Sequence, residues 1–492
     1  MRAFSGVLGL LLAAGLVSGC AHVQPARSVG ESVASNPATV WSPPPEGRPP
    51  TPTPTPAPAI PEKYLKGGAT PSLGEIVDLA LRNNPATRFA WFQARAAAAE
   101  LGSKRAAYLP EIDLNANITR QKTAAVGGRF TYLQTTYGPS ASLNYLLFNF
   151  GGREADAEEA RQALFAANWT HDAAIQNLVL QVEQAYYEYQ NAKALAVSAE
   201  ASVKQAEESL AAAEERHRAG LATIADVLQA KTARSQAQLV LTAARGQIQT
   251  YRGALATAVG VSPSIPIDVG ELPEIASVEE VGQSVDALIE KARSERPDLA
   301  AAWFEASKAE SHVRSVRAEG LPSLSAAGTF GRTYYYNSAG APYSNNYSGA
   351  ILFHFPLFTG FQNRYDTLKA QEEASAARAQ ADTMSNLVIF QVWSSYYGVQ
   401  TATQQVRTAR DLLASAEQSQ EVALARYKAG VGSILDLLTA QSALAAARAE
   451  EVLARATWFL ALAQLAHDTG ALTPPAGAPA PPAVSKGQRD NE

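Results

Sequence analysis

Cysteine occurs once in 492 residues, methionine twice and histidine six times. A single thiol excludes an intramolecular disulfide. The histidines (His22, His171, His217, His312, His354 and His467) show no metal-ligand spacing. Gly430-x-Gly432 begins like a dinucleotide loop, but Leu435 stands where the third glycine belongs and no strand pattern precedes it. No P-loop or nucleophile elbow is present. No cofactor, no metal and no enzymatic site is therefore expected. The formal net charge of −5 gives no reason to expect nucleic acid as a partner. Beyond the first twenty residues, no apolar run reaches the ~18 residues of a membrane helix. A chain of this kind that spans a membrane must do so with strands.

The one cysteine is well placed. Arg2 precedes an apolar run from Val7 to Val17, too short to span a bilayer and of the length of a secretory signal. The run ends in Val17-Ser18-Gly19-Cys20, which resembles a bacterial lipobox, so residues 1–19 read as a lipoprotein signal and Cys20 as the lipidated residue. Residues 20–70 are polar and Pro-rich, and Thr51 to Pro58 alternates Thr or Ala with Pro. Proline fixes φ and removes donors, so this stretch is an extended tether.

The body is a duplication. Arg216-His217-Arg218-Ala219-Gly220 leads into Thr223 and Asp226, and Arg426-Tyr427-Lys428-Ala429-Gly430 leads into Ser433 and Asp436. Each copy reads as a basic last helical turn, a Gly stop, a hydroxyl N-cap and a new helix. Each is the tip of a long helical hairpin, at about 216–226 and 426–436. Pro85 and Pro110 recur as Pro297 and Pro322, 212 residues on; Tyr186, Tyr187 and Asp226 recur as Tyr396, Tyr397 and Asp436, 210 residues on. The two-residue difference falls within the strand region, where a loop tolerates it. The first repeat spans 71–259, a linker 260–284, the second repeat 285–467, and a Pro- and Ala-rich tail 468–492 reads as disordered.

Within each repeat the period switches from helix to strand and back. Ile112, Leu114, Ala116 and Ile118 alternate with Asp113, Asn115, Asn117 and Thr119. Strands are expected at about 110–122, 137–149, 322–336 and 343–358. Helix returns near Gly152 and runs to about Arg218, with Val179, Val182, Tyr186 and Tyr189 at coiled-coil spacing. Aromatics gather toward one set of strand ends (Tyr137, Tyr334, Tyr343) and toward the other (Phe148, Phe150, Phe358), as two membrane girdles would. Four strands cannot close a membrane barrel, so their edges must pair with other subunits.

Together, the lipobox, the ordered repeat, Leu109-Pro110 and Leu321-Pro322 entering the hairpins, and the basic Gly-containing tips followed by Asp resemble the TolC-like outer-membrane efflux family, over about residues 72–467. The resemblance implies a mainly α fold with membrane β. A trimeric 12-stranded β-barrel, four strands per chain, would be continued by a long α-helical barrel with an internal two-fold repeat. It implies a passive outer-membrane exit duct, lipid-anchored, with its helical domain in the periplasm. Its partners would be a periplasmic adaptor and an inner-membrane transporter. It places Asp226 and Asp436 at a periplasmic aperture; Arg216, His217, Arg218, Arg426, Tyr427 and Lys428, which flank them, are the candidates for tip gating. Tyr427 resembles a tyrosine that helps hold the closed state. Gly432 stands where some members carry a closing Arg, and Thr439 where some carry a second Asp. The Asp residues read equally as partners in helix capping boxes. Alternatives to small-molecule efflux are a type I protein-secretion duct and, from another class, a periplasmic adaptor or structural lipoprotein.

Overall fold

The computed structural model describes residues 70–125, 130–275, 282–336 and 340–472. The signal, Cys20, most of the tether and the tail from Thr473 lie outside them.

Each repeat has the order helix, helix, strand, strand, long helix, return helix. In the first these are α1 (Leu73–Asn83), α2 (Pro85–Ala106), β1 (Glu111–Ala125), β2 (Phe130–Phe148), α3 (Gly152–Arg218) and α4 (Ile224–Val259). In the second they are α5 (Val285–Glu295), α6 (Pro297–Glu319), β3 (Ser323–Tyr336), β4 (Tyr343–His354), α7 (Gln362–Lys428) and α8 (Ile434–Asp468). The long helices α3 and α7 have 67 residues each, about 100 Å at ~1.5 Å per residue.

The core is a belt around the middle of the long helices. Ile76, Val77 and Ala80 of α1 pack on Val179, Val182 and Tyr186 of α3 and on Leu255 and Val259 of α4. In the second repeat Leu288 and Leu299 pack on Val388, Val392 and Val399 of α7. Complete burial of each such side chain contributes about 1.5–3 kcal/mol, so the belt anchors arms that are thinly packed elsewhere. The segment after α4, expected as a plain linker, is part of this core: Val261, Ile267 and Val269 are buried in it. The ordered body also runs past α8, because Thr469 and Leu472 are buried.

The strands form one antiparallel sheet in the order β1-β2-β3-β4. Ile118, Tyr137, Tyr334 and Tyr343 lie in one row across it. Leu114, Ala141, Phe330 and Tyr347 lie in another. The opposite face carries Asp113, Ser142, Thr329 and Ser348, with Thr329 and Ser348 hydroxyls 2.7 Å apart. One face is thus apolar and open, with Leu114 83% and Tyr347 85% exposed, and the other is polar. β2 starts at Phe130, earlier than its alternation suggests, because the ladder with β1 continues to Ala125. β4 stops at His354, short of 358, where Pro356 cannot donate to a ladder. Pro139 likewise has no N–H, and the β2–β3 register skips Gly138 and Pro139. Gly138 lies so near Arg332 that a Cβ there would overlap its carbonyl oxygen, at 1.8 Å.

The junction between sheet and helices is braced by Arg153. Its guanidinium donates to the carbonyls of Leu146 (2.6 Å), Leu147 (3.0 Å) and Ala107 (3.3 Å) and lies 5.0 Å from the Tyr108 ring.

Candidate functional site: the paired helical tips

Both tips are built by the same local chemistry. α3 ends at Arg218 and the chain turns at Gly220, whose φ of 75° is one that an L side chain rarely adopts. Gly220 N–H donates to His217 C=O and Leu221 N–H to Arg216 C=O, at 2.9 and 2.8 Å, which satisfies carbonyls that the helix end leaves open. The second tip repeats this: Gly430 has φ 77°, with bonds from Gly430 to Tyr427 and from Val431 to Arg426. Each return helix then starts with a reciprocal capping box. Asp226 N–H donates to Thr223 Oγ1 (3.2 Å), and Asp226 Oδ2 accepts from Thr223 N–H (2.7 Å). Asp436 N–H donates to Ser433 Oγ (3.1 Å), and Asp436 Oδ2 accepts from Ser433 N–H (3.3 Å). Both Asp residues are therefore the N3 partners of capping boxes, and Asp436 is exposed. Among the described residues neither makes an ion pair with a tip base.

The bases take other partners. Arg216 donates from Nη1 to the Tyr427 carbonyl (2.7 Å) and stacks 4.8 Å from the Tyr427 ring, tying the first tip to the second. Arg218 pairs with Glu215 at 2.5 Å. His217 Nδ1 lies 2.9 Å from the Ala222 carbonyl, so it carries the proton in that contact. Arg426 and Lys428 are exposed. The structure thus brings Arg216 and Tyr427 together and leaves His217, Arg218 and Lys428 on the outside.

Tyr427 is only 5% exposed and packs with Ile434 and Leu437. Burial raises its phenol above the ordinary tyrosine range; the Arg216 charge opposes this and the Asp226 charge adds to it. Among the described residues its hydroxyl has no hydrogen-bond partner. At Gly432 a Cβ would lie 3.0 Å from Arg426 Cβ, so a larger residue there needs the turn to give. Ser209 and Gln441 form a further bond between the hairpins, Gln441 Nε2 donating to Ser209 Oγ at 2.8 Å. An open cleft of about 820 Å³ lies between the tips, lined by Glu208, Glu215, Arg216, Tyr427, Lys428 and Gln441 among others. A groove of about 420 Å³ runs beside the second tip past Arg426, Gly432, Asp436 and Thr439.

Sequence reasoning missed a buried polar cluster at the belt. Arg296, 4% exposed, donates to Asp298 (3.0 and 2.5 Å) and to Gln391 Oε1 (2.6 Å), and lies 4.0 Å from Asp468. His467 bridges Asp468 and Asn177, at 3.0 and 2.8 Å. Burial works to raise the Asp298 carboxyl, but the Arg296 hydrogen bonds and charge outweigh it and hold the group below the usual carboxylate range. The available signal was the replacement of Asn84 before Pro85 by Arg296 before Pro297. Among the described residues no group of His, Cys, Asp and Glu could hold a metal ion, and no helix is long and apolar enough to cross a membrane.

The tips sit at the free ends of the hairpins, far from a sheet with one apolar face, and that plan recurs in known proteins. The family model described as outer membrane efflux protein matches residues 76–261 and 288–471, one match to each repeat. Protein CyaE of Bordetella pertussis is 30% identical over 406 residues, 82% of this chain and 85% of that protein. Outer membrane protein TolC of Vibrio cholerae is 26% identical over 431 residues, 82% of this chain and 91% of that protein. Among solved structures, a membrane protein from Pseudomonas aeruginosa superposes with a TM-score of 0.74 at 25% identity, covering 81% of this chain and 93% of the other. With both repeats matched in order, the chain belongs to the outer membrane efflux protein family and serves as an exit duct of the outer membrane.

Proposed function

We propose that three copies of this chain assemble into one passive conduit, anchored by lipid at Cys20 and coupled through a periplasmic adaptor to an inner-membrane transporter. The sheet is the observation that carries this reading. Among the described residues its edge strands β1 and β4 each pair with one neighbour, and its apolar face is open. Unpaired backbone is not tolerated in lipid, so the strands of several copies must close on one another. The polar face then lines a water-filled bore, and α3, α4, α7 and α8 continue it as a helical tunnel.

At the inner end of that tunnel Asp226 and Asp436 ring the aperture. A capping box and a pore ring are compatible roles, because a helix that starts at a pore mouth presents its first-turn acid there. Three copies place six carboxylates at one narrow place, where their fields add, so cations concentrate and anions are repelled. The Arg216–Tyr427 contact supports a closed arrangement in which the two tips of one chain are held together.

Single-channel recording in planar bilayers of the Asp226→Asn/Asp436→Asn protein is the test. Asn retains N-terminal helix preference while removing the charge. The expected result is an assembled trimer that has lost much of its cation preference and is blocked less by multivalent cations. Unchanged selectivity in an assembled double variant would leave the acids as helix caps only.

A further inference from the structure

The apolar face of the sheet changes character at its helix-distal end. Past the row of Ile118, Tyr137, Tyr334 and Tyr343, strand alternation places Arg120 and then Lys122 on that same face. Arg332 shares this face on the helix side of the tyrosine row, between Phe330 and Tyr334 in the alternation, and its side chain is directed toward that row. Its Nε donates to Asn345 Oδ1 at 2.9 Å, and its guanidinium carbon is 4.7 Å from the Tyr343 ring centre. The four strands carry only two carboxylates, Glu111 and Asp113, both at the opposite end of β1. Among the described residues no carboxylate pairs with Arg120, Lys122 or Arg332.

Tyrosines alone suffice to mark a membrane interface. Three cations and no anion, on the face that otherwise meets hydrocarbon, add a sign preference. Long basic side chains rooted in an apolar surface reach outward to the headgroup level, and clusters of them attract anionic headgroups. The position also selects the leaflet. No helix among the described residues can cross a membrane, so the helices lie on one side and the helix-distal end reaches the other, outer, side. A site for anionic cargo would face the bore with Asn115 and Thr329, not the lipid. We propose that Arg120, Lys122 and Arg332 form a binding site for the phosphate groups of a phosphorylated glycolipid in the outer leaflet, framed by Tyr137, Tyr334 and Tyr343.

This site rests on the outer-membrane reading. Two readouts separate their failures: conductance in planar bilayers for the duct, and lipid retention in native mass spectrometry for the site. The full-length protein in detergent is titrated with a bisphosphorylated diglucosamine lipid and with its dephosphorylated counterpart. The phosphorylated lipid is expected to bind the wild-type protein more tightly than the dephosphorylated one. The Arg120→Gln/Lys122→Gln/Arg332→Gln protein, still conducting, is expected to bind the phosphorylated lipid about a hundredfold more weakly than wild type, the loss of three interfacial charges. Equal retention of the two lipids by the wild-type protein overturns the site, and so does undiminished binding by a conducting triple variant. If the triple variant fails to assemble, the wild-type comparison of the two lipids decides alone. Absence of conductance by the wild-type protein would instead strike the duct reading.

Discussion

At the first tip Ile224 is 58% exposed, and at the second its counterpart Ile434 is 4% exposed. His217 lies at the surface where Tyr427 is buried. A hydroxyl cap, a Gly turn and an acid recur in both. The difference comes from neighbours: Arg216 of the first hairpin reaches across to Tyr427, so the second tip is covered within its own chain and the first is not. The belt shows the same inequality. Asn84 joins α1 to α2 with a plain cap, its Oδ1 accepting from Ala86 N–H at 2.8 Å and its Nδ2 donating to the Ala258 carbonyl. Arg296 at the matching place is the centre of an ionic network. Duplication has kept the local grammar of each repeat and let their tertiary contacts diverge.

The largest expected effect separates the two belt positions. Arg296→Ala removes the cation between half-buried Asp298 and buried Asp468 and is expected to cost about 3 kcal/mol. Asn84→Ala removes one cap and one neutral bond and is expected to cost about 1–2 kcal/mol. Thermal melts and the yield of assembled protein measure both, and equal losses would break the contrast. At the tips, Leu437 is wholly buried, so Leu437→Ala is expected to cost about 2–5 kcal/mol, whereas Val227→Ala, at the half-buried equivalent place, is expected to cost about 1 kcal/mol. Hydrogen exchange should then accelerate around 430–440 in the first variant, with little change around 220–230 in the second. Similar acceleration in both would show that another copy or a partner covers the first tip in the assembly.

The third test concerns alkali. Tyr187 and Tyr189 of the first repeat have phenols pushed up to about 12, first by burial and then by neighbouring carboxylates, Glu183 and Asp268 respectively. Tyr189 also donates its hydroxyl to Asp268 Oδ1 at 3.2 Å. An unfolded tyrosine ionises near ~10. The neutral phenols therefore contribute their full stability below about pH 10 and lose it as pH rises from there toward about 12. The second repeat has Val399 where the first has Tyr189, so Tyr189→Phe should flatten part of this decline, a change of no more than about 3 kcal/mol. An unchanged alkaline slope in that variant would remove Tyr189 from the account.

The features legible in the sequence were those written in adjacent residues. Gly220 with Thr223 and Asp226, and Gly430 with Ser433 and Asp436, specify a stop and a start within one turn, and alternation in Ile112 to Ile118 specifies a half-apolar strand. The offsets of 212 and 210 residues exposed the repeat without any structure. Contacts between elements distant in sequence were not legible. Nothing near Arg216 announces Tyr427, more than two hundred residues away, and nothing near Arg296 announces Asp468. The start of β2 was missed because pairing with β1, not alternation, extends it to Phe130. The Val261 to Val269 segment looked like linker because its prolines break periodicity, yet its apolar side chains still find the core.

The two unpaired sheet edges carry a consequence for the safety of the cell envelope. A lone sheet encloses no hole, and a partly closed ring of sheets still presents open backbone that hydrocarbon rejects. Under the three-copy reading, a continuous bore comes into being only when the last β4 meets the last β1. Unassembled or surplus subunits therefore cannot act as leaks, and the permeability barrier is breached solely where a complete duct has formed.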